Sequence, residues 1–514
     1  MSGGIHRGRE STRDLDLGCD VVVIGSGAGG AVVAAELAEA GLRVIVLEEG
    51  PWVPPEQQQK MRPSQHLSRV WRDAGMTVAV GVGDTPTINV TMGRAVGGSS
   101  LLTGGVCFRT PDHVLGTWVK ERGLADLSPA GLDEAFHSVE RAVNVEEVPA
   151  SMRSKGTIKF AEGAASMGLE MEPLRRNTKG CNGCGRCNFG CPHGAKMSVD
   201  IAYLPRAVAK GAEVWSDCLV DRVIVEGGRA VGVEGTISDG VRTLLPRLFH
   251  KPKRFRVRAP RVVVAAGSYH TPLVLARSGI ARNNPHVGRH MTLHPGFRMF
   301  ARFDERIEGW KGALQSAYSR SLEREGITLV GLFVPPGVLA ATMPGFGPEH
   351  LRGAEKIPHI AVFGGIIHDE GGGVVRSGHD KEPVATYRMD PTERAKIPRI
   401  IRVMGETFFA AGAREVFPPI IGQPGVDADA FRKLDLAQIP SLRIECSSQH
   451  PLGTCRMGTS ESTSVVDEAG KVWGVEGLYA ADGSIVPTSL GVNPQLTIMA
   501  MATRIAWKMR DERV

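Results

Sequence analysis

Hydrophobic runs and glycines alternate near the amino end of the chain in the order strand, turn, helix, turn, strand. Residues 20–50, DVVVIGSGAGGAVVAAELAEAGLRVIVLEEG, open with an apolar run typical of a buried parallel strand. An alanine-rich segment follows and predicts a helix ending at Gly41, and a second apolar run ends at Glu48. The pattern predicts a βαβ unit.

Alternation of apolar and polar residues predicts further strands and helices along the chain. Residues 218–235 predict a β-hairpin that turns at Gly227 and Gly228, and residues 261–272 predict a return strand that enters a glycine turn. Four more segments carry a pattern of this kind: antiparallel strands in 359–377 and 383–390, an amphipathic helix in 391–413 that stops at Gly412, and a helix in 493–509.

The longest uncharged stretch, residues 327–348, is too broken to cross a membrane as a helix. It contains Pro335, Pro336 and Pro344, and proline interrupts a helix interior. We predict a strand plus a loop here, and no membrane span. The alternative is an apolar wall or lid beside a substrate pocket.

Composition limits the class of protein. A chain of 514 residues exceeds one hydrophobic core, so we predict two domains. The net charge of +6, with no long Lys/Arg block, argues against a nucleic-acid partner. Four of the nine cysteines lie within eleven residues, unlike a disulfide framework, and the first residues lack the apolar region of a signal peptide. We therefore expect a reducing, cytoplasmic location.

The glycines of the βαβ unit have the spacing of a dinucleotide-binding turn. Gly25 permits the tight turn, Gly27 lets the backbone approach a pyrophosphate, and Gly30 lets the helix and the strand pack closely. Glu48 ends the second strand, where its carboxylate can accept hydrogen bonds from ribose hydroxyls. The spacing predicts a dinucleotide cofactor but does not separate NAD from FAD.

Three later segments carry a family resemblance. Residues 93–111 (GRAVGGSSLLTGGVCFRTP), residues 267–280 (GSYHTPLVLARSGI), and residues 450–458 (HPLGTCRMG) with 480–506 resemble, in order and spacing, the signatures of glucose-methanol-choline (GMC) flavin oxidoreductases. The resemblance implies FAD as the cofactor. It places this chain in a subgroup with a ferredoxin-like, cysteine-rich loop.

The resemblance also implies the fold. We expect an α/β protein in which an FAD-binding, Rossmann-like domain of the GMC and p-hydroxybenzoate-hydroxylase type is interleaved with an α+β substrate domain containing an antiparallel sheet. The FAD domain would comprise residues 15–110, 200–295 and 440–514. The substrate domain would comprise residues 111–199 and 296–439, including the cysteine-rich segment 181–194, here called the Cys loop.

The positions that match the family's FAD-binding residues are mostly small or hydroxylic. The family usually has Asn or His where this chain has Thr103. The implied cofactor-binding residues are Gly25, Ser26, Gly27, Ala28, Gly30, Glu48, Gly98, Ser99, Ser100, Thr103, Gly104, Val106, Val220, Ala266, Gly267, Asp482, Gly483 and Pro494.

Two polar residues near the carboxyl end, His450 and Asn493, match the family's active-site pair. A neutral imidazole can take the proton of an alcohol hydroxyl, and an amide can hydrogen-bond the same oxygen without changing its charge. The resemblance implies that His450 is the general base. We interpret the other prominent histidines as core or surface residues: His193, His270, His290 and His294.

The Cys loop has the spacing C-x2-C-x2-C-x3-C-P, as in small bacterial ferredoxins, through Cys181, Cys184, Cys187 and Cys191. Its thiolates match a [4Fe-4S] cluster or, using three of them, a [3Fe-4S] cluster. A structural zinc site and plain thiols or disulfides are the alternatives. A single cluster normally takes its last ligand from farther along the chain, where the candidates are Cys218, Cys446 and Cys455.

We predict an FAD-dependent alcohol dehydrogenase or oxidase that converts CH–OH to C=O by hydride transfer to flavin N5, with electrons passed on through an iron-sulfur cluster. Its partners would be a small-molecule alcohol and either a redox protein or dioxygen. The alternatives are a dioxygen-using alcohol oxidase with a structural Cys loop, an electron-transfer flavoprotein without alcohol chemistry, and an NAD-dependent Rossmann dehydrogenase. The sequence leaves the alcohol open among sterols, long-chain alcohols and sugars, with a weak lean to apolar or aromatic ones.

Overall fold

The structure, a computed structural model, describes residues 3–238, 252–343, 347–378 and 382–512. Its helices are α1 Ala28–Glu39, α2 Pro55–Lys60, α3 Pro63–Arg69, α4 Asp112–Arg122, α5 Pro129–Ala142, α6 Lys155–Ser166, α7 Val199–Ala202, α8 Leu204–Ala209, α9 Thr271–Arg277, α10 Pro336–Thr342, α11 Gly347–Glu355, α12 Pro391–Ala410, α13 Ala428–Lys433 and α14 Gln495–Asp511.

The strands of the described residues are β1 Gly4–Arg7, β2 Leu15–Gly18, β3 Val21–Ile24, β4 Val44–Leu47, β5 Val78–Gly81, β6 Ile88–Val90, β7 Val145–Glu147, β8 Glu172–Pro173, β9 Arg175–Asn177, β10 Glu213–Ser216, β11 Cys218–Glu226, β12 Arg229–Ile237, β13 Arg254–Arg258, β14 Arg261–Val264, β15 Gly296–Arg302, β16 Ala317–Ser319, β17 Ile327–Gly331, β18 Ile360–Ile367, β19 Gly373–Ser377, β20 Pro383–Tyr387, β21 Glu415–Phe417, β22 Cys446–Ser448 and β23 Leu478–Ala480.

A six-stranded parallel sheet, in the order β1-β10-β4-β3-β14-β23, carries the predicted βαβ unit. Strands β3, β4 and β14 are buried along their whole length: helix α1 packs against β3 and β4, and the strands β11 and β12 pack against β4 and β14. The predicted strand, helix and second strand are confirmed as β3, α1 and β4. Strand β1, formed by the polar segment GIHR, was not predicted and is an edge strand beside β10.

The predicted hairpin is confirmed as β11 and β12, which turn at Gly227 and Gly228 with positive φ. It belongs to a four-stranded sheet in the order β11-β12-β13-β2. Strand β2 pairs with β13 in parallel, so the segment just before β3 anchors this sheet beside the parallel one.

An eleven-stranded mixed sheet forms the other part of the described chain. Its order is β19-β20-β5-β6-β22-β15-β18-β17-β16-β8, and β21 pairs with β15. The antiparallel strands predicted in 359–377 and 383–390 are confirmed as β18, β19 and β20. Strands β5, β6 and β22 also join this sheet, although they lie in ranges predicted for the FAD domain.

The predicted amphipathic helix is α12. Asp390 caps its amino end and exchanges hydrogen bonds with Glu393, and Gly412 follows its carboxyl end with φ +88°. The prediction for 327–348 was incomplete. The predicted strand is β17, but the segment after it forms helix α10, whose first residue is Pro336, the helical position where proline is favoured.

The two large sheets have separate hydrophobic cores. Helices α4 and α5 contribute to the core of the parallel sheet, although they were predicted within the substrate domain. The division into two domains stays a prediction. Parts of its ranges, and of the stretch 327–348, lie outside the described residues, namely 239–251, 344–346, 379–381, 513 and 514.

Among the described residues, no helix combines the length and the apolar character needed to cross a lipid bilayer. The predicted cytoplasmic location stays a prediction.

Candidate active site

A deep cleft opens where strands β3, β4, β14 and β23 end. It encloses about 1130 Å³ of space, counting the part open to solvent. Ligands bind at this edge of open parallel sheets because the strand ends and the loops leave a crevice there. Most of the predicted cofactor-binding residues line it: Gly25, Ser26, Gly27, Ala28, Glu48, Gly98, Ser99, Ser100, Val220, Ala266, Gly267, Asp482, Gly483 and Pro494.

The glycine turn after β3 is held tightly on one side and is open on the other. Gly25 has φ +97°, and a Cβ atom there would lie 2.3 Å from the carbonyl oxygen of Ala265. At Gly27 a Cβ atom would meet only the Cα atom of Gly98, at 4.0 Å. The turn therefore needs glycine at position 25 for the fold, whereas Gly27 leaves an open approach for a phosphate group at the start of α1.

Glu48 is buried at the end of β4 and is held by three donors. Its carboxylate accepts hydrogen bonds from the backbone N–H of Ser26 (3.1 Å), the hydroxyl of Ser26 (2.7 Å) and the backbone N–H of Gly50 (2.9 Å). The Ser26 hydroxyl also accepts from the N–H of Gly97 (3.0 Å), which ties the two glycine-rich turns together. The Oε1 atom, which accepts only from Gly50, keeps a further lone pair, as a ribose contact requires.

Asp482 connects the loops after β14 and β23. Its carboxylate accepts from the N–H of Gly267 (2.7 Å), the hydroxyl of Thr271 (2.5 Å) and the N–H of Ser484 (2.7 Å). Burial raises the pKa of this carboxyl, and the donors oppose the rise. Asp482 therefore organises the cleft wall mainly through the backbone of these loops.

Helix α14 begins at the cleft, as the sequence predicts. Pro494 stands at its amino end, and both Pro494 and Ile498 line the cleft. The partial positive charge of the helix amino terminus therefore faces the site, where it favours negative charge on a bound group.

Four predicted residues stand apart from the cleft lining, each for a packing reason. Gly30 packs against the turn, where a Cβ atom would lie 2.0 Å from the carbonyl oxygen of Gly25, which is the role predicted for it. The Thr103 hydroxyl donates to Gln495 (3.1 Å). Gly104 and Val106 face the strand that contains Arg176, through a hydrogen bond and an isolated bridge respectively.

Several lining residues were not predicted. Arg72 is buried and donates to Glu49. His270, interpreted from the sequence as a core or surface residue, is half-buried in the cleft wall, and its Nε2 atom is buried without a hydrogen-bond partner in the described chain. Desolvation holds its pKa well below the usual value, so the ring is neutral. Arg72 lies outside every motif of the sequence, whereas His270 lies within the signature 267–280, which does not single it out.

The structure brings His450 and Asn493 together, although 43 residues separate them. The amide Nδ2 of Asn493 lies 3.1 Å from Nε2 of His450 and can only donate, so Nε2 carries the lone pair of a neutral imidazole. The Nδ1 atom of His450 and the Oδ1 atom of Asn493 are buried without a partner in the described chain. The pair thus presents unsatisfied polar atoms in the manner of a ligand site.

The environment of His450 keeps its ring neutral. Burial is the main cause that lowers the pKa of His450, to about 3, and the nearby His294 ring adds to it while Asp369 opposes it. A neutral imidazole is the form that can accept a proton.

The rate should therefore be independent of pH on the acid side of neutrality. Protonation of His450 below about pH 3 would remove the base, so we expect kcat/KM to stay level as the pH falls from about 8 to about 5. Steady-state kinetics across this pH range measures kcat/KM, and the flavin content is checked at each pH. A fall governed by an apparent pKa near 6.5, the ordinary value for histidine, would contradict a buried neutral base.

The Cys loop lies against the segment that follows the second glycine-rich turn. Two nearly buried cations join them: Arg176 donates to the carbonyl of Gly104 (2.7 Å) and to Sγ of Cys187 (2.8 Å). Lys196 donates to the carbonyls of Leu101 (2.7 Å) and Cys187 (2.8 Å). These hydrogen bonds therefore fix the Cys loop to the segment beside the cleft.

Both cations have cysteines of the Cys loop among their acidic neighbours, and Lys196 also has Asp200. Arg176 and Lys196 are 1% and 3% exposed, and neither forms an ion pair with a carboxylate of the described residues. Burial lowers the pKa of Lys196 to about 8, against the effects of Cys187, Asp200 and Cys191. Buried cations need hydrogen-bond acceptors in place of water, and here backbone carbonyls and Sγ of Cys187 supply them.

The thiols themselves do not form a preformed metal site. Cys184 hydrogen-bonds Cys191, which lowers the pKa of the Cys191 thiol to about 4 and raises that of Cys184. In the described part of the chain, no group of three or more His, Cys, Asp or Glu side chains is arranged to hold a metal ion, so the predicted ligand set is not assembled here.

Comparisons with known proteins agree with the interpretation of the cleft as a dinucleotide-binding site. Models of the amino- and carboxyl-terminal parts of GMC oxidoreductases match residues 19–296 and 373–502. An uncharacterized GMC-type oxidoreductase of Mycobacterium tuberculosis is 38% identical over 95% of this chain and 75% of its own length. A long-chain-alcohol oxidase of Arabidopsis thaliana is 28% identical over 99% of this chain and 70% of its own.

Among solved structures, pyridoxine 4-oxidase from Mesorbium loti superposes with a TM-score of 0.72 at 18% identity, over 96% of this chain and all of that one. This likeness confirms the predicted fold class. The family models span well over half of the chain, and the cleft has the glycine turn, the buried acid and the unsatisfied polar atoms that a flavin dinucleotide needs. The chain belongs to the GMC oxidoreductase family and is an FAD-dependent oxidoreductase.

Proposed function

We propose that this protein oxidises an alcohol, CH–OH to C=O, with His450 as the general base. The observation that carries the proposal is the contact between Nε2 of His450 and the amide of Asn493 beside the cleft, with the remaining polar atoms of both side chains unpartnered. A buried base next to a neutral hydrogen-bond donor is the arrangement that alcohol deprotonation requires.

The division of labour follows from the chemistry of each side chain. When bound, FAD supplies the acceptor for the hydride that leaves the alcohol carbon. Nε2 of His450 exchanges its hydrogen bond from Asn493 for one from the alcohol and takes the hydroxyl proton as the C=O bond forms. The Asn493 amide donates to the same oxygen, which orients the alcohol and stabilises negative charge developing on it. The alcohol thereby loses one proton and one hydride, and a carbonyl compound remains.

A long-chain alcohol is the first substrate class to test. The similarity to the Arabidopsis long-chain-alcohol oxidase extends over nearly the whole chain. No described residue of β17 or α10 lines the cleft, so the apolar wall expected from the stretch 327–348 stays a prediction.

The proposal is tested by mixing the holoenzyme anaerobically with a panel of alcohols and following the flavin absorbance. We expect long-chain primary alcohols to bleach the flavin, and ethanol to do so far more slowly. An electron-transfer flavoprotein, the competing function, would keep its absorbance with every alcohol and lose it only with a reduced redox protein. Absence of bleaching across the panel would overturn the proposal.

For the electron route, we propose an iron-sulfur cluster in the Cys loop and hence a dehydrogenase rather than a dioxygen-using oxidase. The spacing of the four cysteines and the contact between the buried Arg176 and Sγ of Cys187 support it. Because the thiols are not arranged around a metal position, we derive no step of the reaction through a cluster.

Replacing one ligand should remove the cluster. We expect Cys184→Ser to lose iron and acid-labile sulfide while FAD stays bound, because the Cys loop lies outside the residues that line the cleft. Cys19→Ser, at a buried cysteine remote in sequence from the loop, is the matched control and should keep both. Metal and sulfide analysis of anaerobically purified protein decides. Zinc in place of iron, or no metal, would overturn the cluster.

A further inference from the structure

His294 was interpreted from the sequence as an ordinary core or surface residue, but its surroundings connect it to both residues of the proposed active site. The side chain is fully buried, and its ring meets the His450 ring edge-on, with 5.3 Å between the ring centres. Its backbone has φ +47°, a left-handed conformation that is rare for a residue other than glycine. Such strain persists only where surrounding contacts hold it, and it is frequent at functional sites.

One buried carboxylate holds this strained backbone. Asp369 accepts hydrogen bonds from the backbone N–H groups of Leu293 (2.7 Å) and His294 (3.1 Å), and from the Tyr387 hydroxyl (2.5 Å). It also accepts from the hydroxyl of Ser489 (2.8 Å), 120 residues farther along the chain. Asp369 is 1% exposed, so these donors replace water around its charge. We call Asp369 with its four donors the Asp369 clamp.

The His294 ring reaches the turn that carries Asn493. Its Nε2 atom accepts from the backbone N–H groups of Leu490 (2.9 Å) and Gly491 (3.2 Å). An imidazole nitrogen that accepts two hydrogen bonds carries no proton, so the proton of the neutral ring is on Nδ1. Burial lowers the pKa of His294 to about 3, in agreement with a neutral ring. The ring thereby fixes the backbone two residues before Asn493.

The same segment holds His450 from the other side. The carbonyl of Leu293 accepts from the Ser448 hydroxyl, and the oxygen of that hydroxyl accepts from the backbone N–H of His450 (3.0 Å). Leu293 and His294 therefore lie between the two loops that bring His450 and Asn493 to their 3.1 Å contact.

We propose that His294, held by the Asp369 clamp, is a positioning residue that sets the geometry between His450 and Asn493. It does so through hydrogen bonds to the Asn493 turn and, with Leu293, through Ser448 to the His450 loop. The inference rests on the proposed alcohol chemistry for its effect on rate, but not for the hydrogen bonds that it assigns. A displacement of the pair by about 1 Å is enough to cost about 100-fold in a rate that depends on orientation.

Matched variants separate positioning from a merely structural role. His294→Phe keeps a flat ring but removes the acceptor, and His294→Gln places a carbonyl oxygen near the position of Nε2. His290→Phe is the control, because His290 also has a left-handed φ of +64° but contacts His286 instead of the Asn493 turn. The rate of anaerobic flavin reduction by the best alcohol is measured, together with flavin content, Tm and the isotope effect with alcohol deuterated at the reacting carbon.

We expect His294→Phe to slow flavin reduction by about 10- to 100-fold with FAD still bound and with a larger isotope effect, since hydride transfer becomes more fully rate-limiting. His294→Gln should recover most of the rate, and His290→Phe should match wild type. A normal rate in His294→Phe, or no recovery in His294→Gln at normal flavin content, would overturn the proposal. If His294→Phe fails to fold, Ser489→Ala, which removes one donor of the Asp369 clamp, takes its place. We then expect a smaller decrease in the rate of flavin reduction and a smaller increase in the isotope effect.

A second measurement is independent of turnover. Nitrogen-15 NMR of histidine-labelled holoenzyme, with the His294 signals assigned by their loss in His294→Gln, should show Nδ1 protonated and Nε2 unprotonated at pH 7. A protonated Nε2 cannot accept from Leu490 and Gly491 and would overturn the proposal. If no alcohol reduces the wild-type flavin but this tautomer is found, the proposed function fails while the assigned hydrogen bonds stand.

Discussion

His450→Ala should lower kcat by about 10² to 10⁴ with the best alcohol while FAD stays bound. The side chain removed is the neutral base whose Nε2 lone pair meets the Asn493 amide. The residues proposed to bind FAD lie on other loops, above all the glycine turn and Glu48. The measurement is kcat together with the flavin absorbance of each preparation.

His450→Gln is the matched control for this prediction. Glutamine can still hydrogen-bond an alcohol oxygen, but its amide takes no proton near neutral pH. We expect it to be about as slow as alanine at position 450, which would assign the loss to proton transfer rather than to orientation. Near-normal turnover in either variant would remove His450 from the reaction.

Gly25→Ala should yield protein that is almost free of FAD. The added Cβ atom would lie 2.3 Å from the carbonyl oxygen of Ala265, a backbone atom of the buried strand end that cannot move aside without opening the sheet. The left-handed φ of +97° adds about 1–2 kcal/mol of strain for any residue with a side chain. We expect the flavin content per chain to fall about tenfold or more, measured from the ratio of flavin to protein absorbance.

Gly41→Ala separates the strain from the collision. Gly41 lies in the same βαβ unit with φ +88°, and a Cβ atom there meets nothing within 4 Å. This variant should lose some stability but keep its flavin. If both variants bind FAD equally well, the close contact between the turn and the end of β14 is not needed for FAD binding, and the prediction is wrong.

The parts of the fold that the sequence predicts are those specified by local rules. The glycines at 25, 27 and 30 mark the turn by their spacing, and the apolar runs of β3 and β4 need both faces covered. The hairpin turn at Gly227 and the cap at Gly412 are local in the same sense. Strand β1 was missed because its residues are polar, and only its neighbour β10 makes it a strand.

The polar parts of the site depend on contacts between distant segments. No pattern in the sequence around His294 predicts that Asp369, 75 residues away, accepts a hydrogen bond from its backbone N–H. The burial of His294 agrees with its interpretation as a core residue, and only the hydrogen bonds reveal a connection to His450 and Asn493. Arg176 and Lys196 were overlooked for the same reason, since lysine and arginine are usually on the surface.

The most direct test of the central claim is a crystal structure of the holoenzyme with an unreactive analogue of its best alcohol. We predict the analogue's oxygen within about 2.6–3.2 Å of Nε2 of His450 and of the Asn493 amide. An analogue oxygen that contacts neither side chain, or a His450 ring turned out of the cleft, would contradict the claim that this imidazole is the base.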